Sequence, residues 1–368
     1  MTRLPTAQIA AASAWLALTA LTPAFAQSGI SSATAPPTVV RGIYNWVQTT
    51  GDAERAFPFY RDVFGTELAR SPFAGPPPAN APPEQIRPKS AAGSDTLVAD
   101  LTNTPGARFR TVFTHASNTP YGLELSEFFD IPRTERAPNP WDPGAAKLIF
   151  RVRDLAAAVA ELRARATPVV TLGGTPLDTP AGRSLLVRDP DGSLVQLIQA
   201  SPAEIAGAKL GGQIIDTAIG ITVTDMNAAL AFYSGLLGFP AQTAWRATAA
   251  ELKVNGLASG ELVETTTTIP GTAVSVVLAS FRVPRGSAPA PSPYQWRIQD
   301  VGAPQLQLEV AGLDALLERS SRAGYRFLSV GGKPIERPFG RFVFVIDPDG
   351  VLVEFVEPAA GRAPSRQP

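Results

Sequence analysis

The sequence predicts an α+β protein of four βαβββ modules paired into two cup-shaped domains. Three observations carry this reading. The stretch Asp189-Pro190-Asp191-Gly192 returns as Asp347-Pro348-Asp349-Gly350, 158 positions later, each time between two apolar, β-rich runs. The same offset, without a gap, pairs Leu148 with Leu306, Val152 with Val310, Gly173-Gly174 with Gly331-Gly332 and Gly182-Arg183 with Gly340-Arg341. Upstream of each copy, an offset of 173 pairs Asp52, Phe59-Tyr60 and Gly65 with Asp225, Phe232-Tyr233 and Gly238. Repetition at fixed offsets marks copies of one structural unit.

Each element follows from local chemistry. In Asp-Pro-Asp-Gly, proline fixes φ at the second turn position, aspartate suits the flanking positions, and glycine accepts positive φ at the end. The runs on either side, 183–188 with 193–198 and 341–346 with 351–356, are therefore hairpin strands, with the glycine suited to a bulge. Residues 44–48 read as a strand, Asp52 as an N-cap, Ala53–Phe64 as a helix, and Gly65 as its stop. Residues 218–223, Asp225, 226–237 and Gly238 repeat that order. Leu230, Phe232, Tyr233, Leu236 and Leu237 give the helical spacing of one buried face.

The modules are 39–130, 146–200, 213–284 and 303–358. Pairing neighbours along the chain gives domains 39–200 and 213–358, joined by a linker at 201–212. Residues 71–94 contain Pro76-Pro77-Pro78 and Pro82-Pro83 and are excluded from helix and central strand. Residues 283–292 are similar. Residues 359–368 read as a frayed tail.

The first 26 residues read as a signal peptide: Arg3, an apolar or small run over 9–21, and Ala24-Phe25-Ala26 as a cleavage site before Gln27. The run is shorter than the roughly 20 residues a membrane span needs. The mature protein is expected in the periplasm or outside the cell, with 27–38 as a flexible leader. There is no cysteine, hence no disulfide framework, and the formal net charge is +0, which argues against a nucleic-acid partner.

The helix Asp225–Gly238, with its Ala-x-x-Phe-Tyr pattern, and the Asp-Pro-Asp-Gly hairpin with its following strand resemble the vicinal oxygen chelate superfamily. That superfamily includes glyoxalase I, bleomycin-resistance proteins and extradiol dioxygenases. The resemblance covers about nine-tenths of the chain after the expected signal peptide. It implies modules paired into cup-shaped sheets, each cup taking metal ligands from the first and last strands of its two modules, usually His and Glu, sometimes Gln. Carried over by position, one cup would present Asn45, Glu124, Lys147 and Gln196. The other would present Ala218, Leu278, Gln305 and Glu354. Neither contains a histidine, and the chain has one histidine in all. An open transition-metal site wants imidazole or carboxylate donors, and a lysine ammonium repels a cation. No metal or cofactor is therefore expected.

The remaining candidates are single residues. His115, ending an apolar strand, is either a strand-end histidine or a general base aimed into the first cup. Lys147 is either a solvated strand-start charge or a partner for an anionic ligand or for Glu124. A desolvated lysine can also act as a base or form a Schiff base. Glu354 is either a carboxylate of raised pKa acting as a base or a leftover paired with Gln305 or an arginine. Tyr294 and Trp296 follow a Pro-rich loop and either fold over the second cup, suiting an apolar or ring-shaped ligand, or pack that loop on the surface. Three functions fit: a metal-independent cup binding a small organic molecule, anionic or neutral; a lyase, isomerase or ring-cleaving enzyme with a diverged site; or a structural or partner-binding protein with vestigial cups. N-terminal sequencing of protein from the native host is expected to show a chain starting at or near Gln27. A full-length chain in the membrane fraction overturns the export reading.

Overall fold

Asp52 and Asp225 start helices as their position predicts. Each side chain accepts an N–H of the first turn, Glu54 N for Asp52, and Asn227 N and Ala228 N for Asp225. Gly65 and Gly238 follow the ends with φ of +71° and +77°, where glycine avoids the Cβ clash. The computed structural model describes residues 39–74, 81–293 and 295–361. The expected signal peptide and leader, Tyr294 and residues 362–368 lie outside the described residues.

The first module contains β1 (Val40–Thr49), α1 (Ala53–Phe64), β2 (Glu67–Leu68), an inserted α2 (Thr96–Thr102), β3 (Arg108–His115) and β4 (Gly122–Phe129). The second contains β5 (Ala146–Val152), α3 (Leu155–Ala164), β6 (Leu177–Thr179), β7 (Gly182–Arg188) and β8 (Leu194–Gln199). The expected linker holds a short helix, α4 (Pro202–Gly207), closed by a Ser201/Glu204 capping box. The third module contains β9 (Ile214–Thr222), α5 (Met226–Leu230), β10 (Trp245–Arg246), α6 (Ala249–Val254), β11 (Glu261–Thr268) and β12 (Ser275–Arg282). The fourth contains β13 (Pro304–Val310), α7 (Leu313–Arg322), β14 (Arg326–Phe327), β15 (Ile335–Arg337), β16 (Gly340–Ile346) and β17 (Leu352–Pro358). The expected single helix over 226–237 is α-helical only in α5 and continues as a π-helix over Ala231–Leu236. Gly235, a poor α-helix former, lies in that wider turn.

The modules do not pair as one with two and three with four. One sheet has the order β14-β16-β17-β13-β1-β4-β3-β2 and joins modules one and four; the other, β10-β11-β12-β9-β5-β8-β7-β6, joins modules two and three. The seams are antiparallel first strands: Asn45 opposite Gln307, and Ile149 opposite Ala218. The expected units 39–200 and 213–358 are thus replaced by one nested inside the other. Chain order could not supply this, because every module offers the same first-strand edge.

Modules one and two, and modules three and four, meet instead through helices and turns. The largest core cluster takes Phe59, Tyr60 and Phe64 from α1, Leu155, Val159 and Leu162 from α3, Phe232 and Tyr233, and Leu313 and Leu316 from α7, against both sheets. The two Asp-Pro-Asp-Gly turns lock this core. Asp189 Oδ1 accepts the N–H of Asp191 and Ser193 at 2.9 and 2.8 Å, while its Oδ2 accepts Tyr60 O–H at 2.7 Å and Gln48 Nε2–H at 2.6 Å. Asp347 repeats this: its Oδ1 takes the N–H of Asp349 and Val351, and its Oδ2 takes Tyr233 O–H at 2.8 Å. Gly192 and Gly350 stand at φ +86° and +96°. Replacing Gly350 with Val is expected to lower unfolding free energy by roughly 1–3 kcal/mol, since a β-branched residue is strained at that φ. Equilibrium denaturation checks this; a melting curve matching wild type overturns the assignment of strain to the turn.

Candidate functional site

The sheet of modules one and four curls around a cavity of about 350 Å³. Its floor comes from alternation along four strands, where every second side chain faces the cup. These are Asn45 on β1, Glu124 and Ser126 on β4, Gln305 and Gln307 on β13, and Glu354 on β17. Its walls are aromatic, with Phe109 and Phe113 of β3, Phe128 of β4, and Phe342 and Phe344 of β16. Phe73, from the loop after β2, stacks on Phe339 at 5.4 Å and meets Phe342 edge-on at 5.2 Å. At the mouth, Arg337 of β15 pairs with Asp95, the N-cap of α2.

All of the floor but Gln305 is one hydrogen-bonded chain. Ser126 Oγ–H donates to Glu124 Oε1 at 3.0 Å. Asn45 Nδ2 donates to Glu124 Oε2 at 3.2 Å and to Gln307 Oε1 at 2.8 Å. Gln307 Nε2 donates to Glu354 Oε2 at 2.7 Å, and Gln305 donates to Thr49 Oγ1 at 3.2 Å. Two carboxyls thus share one cup, bridged by amides, with no cation in the network. Burial pushes Glu124 up to about 7 and Glu354 up to about 8, and the charge of Glu124 adds to the rise at Glu354. Near neutral pH such groups hold protons to donate and exchange them readily.

Asn45, Glu124, Gln305 and Glu354 are therefore brought together, where the sequence reading had divided them between two cups. Gln307 was missed. The alternation Gln305-Leu306-Gln307-Leu308 carries the signal, since both glutamines lie on one face. Lys147 and Gln196 belong to the other sheet, which encloses about 370 Å³. Lys147 is buried there and donates to Asn255 Oδ1 at 3.2 Å, so it pairs with neither Glu124 nor solvent. Leu278 is fully buried on the opposite face, in the core. Strand register makes Val277 the counterpart of Glu124, because Gly220 pairs with Val277 as Val47 pairs with Glu124. His115 does not line the aromatic cavity; at the end of β3 its Nε2 lies 3.4 Å from Thr119 O, and burial lowers its pKa. Trp296 is buried and donates its indole N–H to Gly144 O at 2.9 Å, so it is a structural contact and covers no cup.

A group ionised less easily in the folded state lowers stability as it ionises. Glu354 rises from 4.5 to about 8, so folding holds its proton. Its contribution is fully present below about 4.5 and is lost as pH rises through 8. Glu354→Gln keeps an acceptor for Gln307 and removes the titration. Its stability relative to wild type is expected to rise between pH 5 and pH 9 by at least about 1 kcal/mol, roughly 2–4 °C in Tm. A constant difference across that range sinks the assignment.

A model of the Glyoxalase/Bleomycin resistance protein/Dioxygenase superfamily matches residues 43–197 and 215–355. Among solved structures, a mutant of glyoxalase I from Zea mays superposes with a TM-score of 0.54 at 15% identity, covering 86% of this chain and 93% of that one. A second mutant of the maize enzyme gives 0.53 at 15% identity, covering 86% and 92%. At this identity the likeness shows the fold. No curated protein matches the chain in sequence.

Proposed function

Since the chain belongs to the glyoxalase/bleomycin resistance protein/dioxygenase superfamily, we propose that its aromatic cup binds a small, largely apolar or aromatic molecule whose oxygen atoms meet Glu124 and Glu354, without a transition metal. The observation that carries this is the floor: a half-buried carboxyl, Glu124, and a buried one, Glu354, joined by Asn45 and Gln307 beneath aromatic walls. The residues at the superfamily's metal positions do not fit such an ion. There is no imidazole among them, and two amide N–H groups point at the carboxyl oxygens that a cation would need. Among the described residues no three His, Cys, Asp or Glu side chains gather to hold a cation. An anionic ligand would find no cation in the hydrogen-bonded floor of this cup.

The pKa values of the pair favour a second reading of the same cup, an enzyme moving a proton at a carbon next to a carbonyl. Glu124, the more readily ionised of the two, would take the proton, and protonated Glu354 would donate to the carbonyl oxygen as negative charge builds there. Cavities of about 350 and 370 Å³ in the two sheets argue against vestigial cups. The leader motif supports export to the periplasm or beyond, as a separate proposal; no helix among the described residues is long and apolar enough to cross a membrane.

4-Hydroxyacetophenone serves as a probe. It is expected to raise the Tm of wild type and to leave Thr111→Trp, which fills the cup from β3, unshifted. In heavy water, exchange of its methyl protons followed by NMR is expected to be faster with wild type than with Glu354→Gln if the cup is catalytic, and equal if it only binds. Neither stabilisation nor exchange across a panel of aromatic ketones and phenols would sink both readings.

A further inference from the structure

The second cup differs from the first where it matters. At positions matching Asn45, Glu124, Gln307 and Glu354 it carries Ala218, Val277, Ile149 and Gln196, all lining the cavity. Its polar centre has moved to Lys147, two residues before Ile149 on the same face of β5. The lysine stem lies across Gly220 of β9: a Cβ there would sit 2.6 Å from Lys147 Cε and 2.7 Å from Cγ. Glycine at 220 thus fixes the path of the amine. That path ends at Asn255 Oδ1, and Asn255 is itself held by Nδ2–H to Glu251 O at 2.9 Å. Glu264 of β11, also buried, lines the same cavity and acts on the amine through its charge. Burial lowers the Lys147 pKa and raises that of Glu264, drawing both toward their neutral forms. Gln196 Oε1 is buried and, among the described residues, accepts no hydrogen bond, so the cavity offers an acceptor that only an incoming donor can satisfy.

We propose that this second cup captures carbonyl compounds: Lys147 Nζ condenses with a small hydroxy-aldehyde or hydroxy-ketone whose hydroxyl donates to Gln196 Oε1. The Nζ lone pair forms a C–N bond to the carbonyl carbon, and one N–H proton passes through Glu264 to the oxygen, giving a carbinolamine. A second proton, from the Glu264 carboxyl, expels that oxygen as water as the C–O bond breaks. The iminium remains on Lys147 beside ionised Glu264. Amine, carbonyl and the Glu264 proton thus become iminium, carboxylate and water, with no oxidant or reductant. The positions involved are separate from the carboxyl pair of the first cup, so the two readings stand or fall apart.

The test uses the full chain with glycolaldehyde and sodium cyanoborohydride at pH 7.5, the reduced adducts being located by peptide mass mapping. The other four lysines, Lys89, Lys209, Lys253 and Lys333, are all exposed and serve as controls in the same tube. Lys147 is expected to be labelled at least tenfold faster than their mean, although only 8% exposed. Acetaldehyde, which lacks the hydroxyl, is expected to label it several-fold more slowly. Gln196→Leu is expected to remove that preference without changing the Tm. Labelling of Lys147 no faster than the exposed lysines, or equal labelling by the two aldehydes, overturns the proposal. The wild-type map decides without any variant at Lys147.

Discussion

Two buried tyrosine–aspartate hydrogen bonds hold this architecture in register. Tyr60 to Asp189 and Tyr233 to Asp347 each join the helix of one module to the hairpin turn of the next, and in each case the two modules belong to different sheets. The same aspartate closes its own turn through its other oxygen. One side chain therefore shapes a hairpin and docks it. A net worth of roughly 0.5–1.5 kcal/mol per bond understates the dependence, because losing the tyrosine hydroxyl takes a donor from a buried carboxyl oxygen that water cannot readily replace. Burial already pushes Asp189 up to about 6 and Asp347 up to about 7.

With the sheets fixed back to back, each cup opens away from the shared core, and its floor is set by strand alternation alone. That separation lets the two cups diverge. One keeps paired carboxyls under phenylalanines; the other has given up that row and placed a lysine across a glycine. Both use the same fold, which by itself assigns neither chemistry.

Much of this was legible in the residues. Caps at Asp52 and Asp225, stops at Gly65 and Gly238, the two hairpins and the four modules rest on local chemistry and on repetition, and they stand where the sequence puts them. What failed was long-range. Whether β1 pairs with β5 or β13 depends on packing between modules with nearly the same edges, and Asn45 facing Gln307 leaves no local trace. The placement of Leu278 slipped by one residue, and a one-residue slip turns a side chain from cup to core. The neighbours of Lys147 come from α6 and β11, far along the chain, so its environment could not be read from its own strand.

The nested pairing has a consequence for how the chain is made. Modules two and three are contiguous, so residues 146–284 can close their sheet as soon as they leave the ribosome. The first module must wait for the last: β1 lies between β4 and β13 in mid-sheet, and β13 ends at Val310, some 260 residues after β1. Until then β1 presents an open edge of unpaired backbone groups, the kind of edge that recruits foreign strands. A chain cut short between its third and fourth modules would keep one finished cup and carry one exposed strand. Its hazard would be aggregation rather than simple loss of a site.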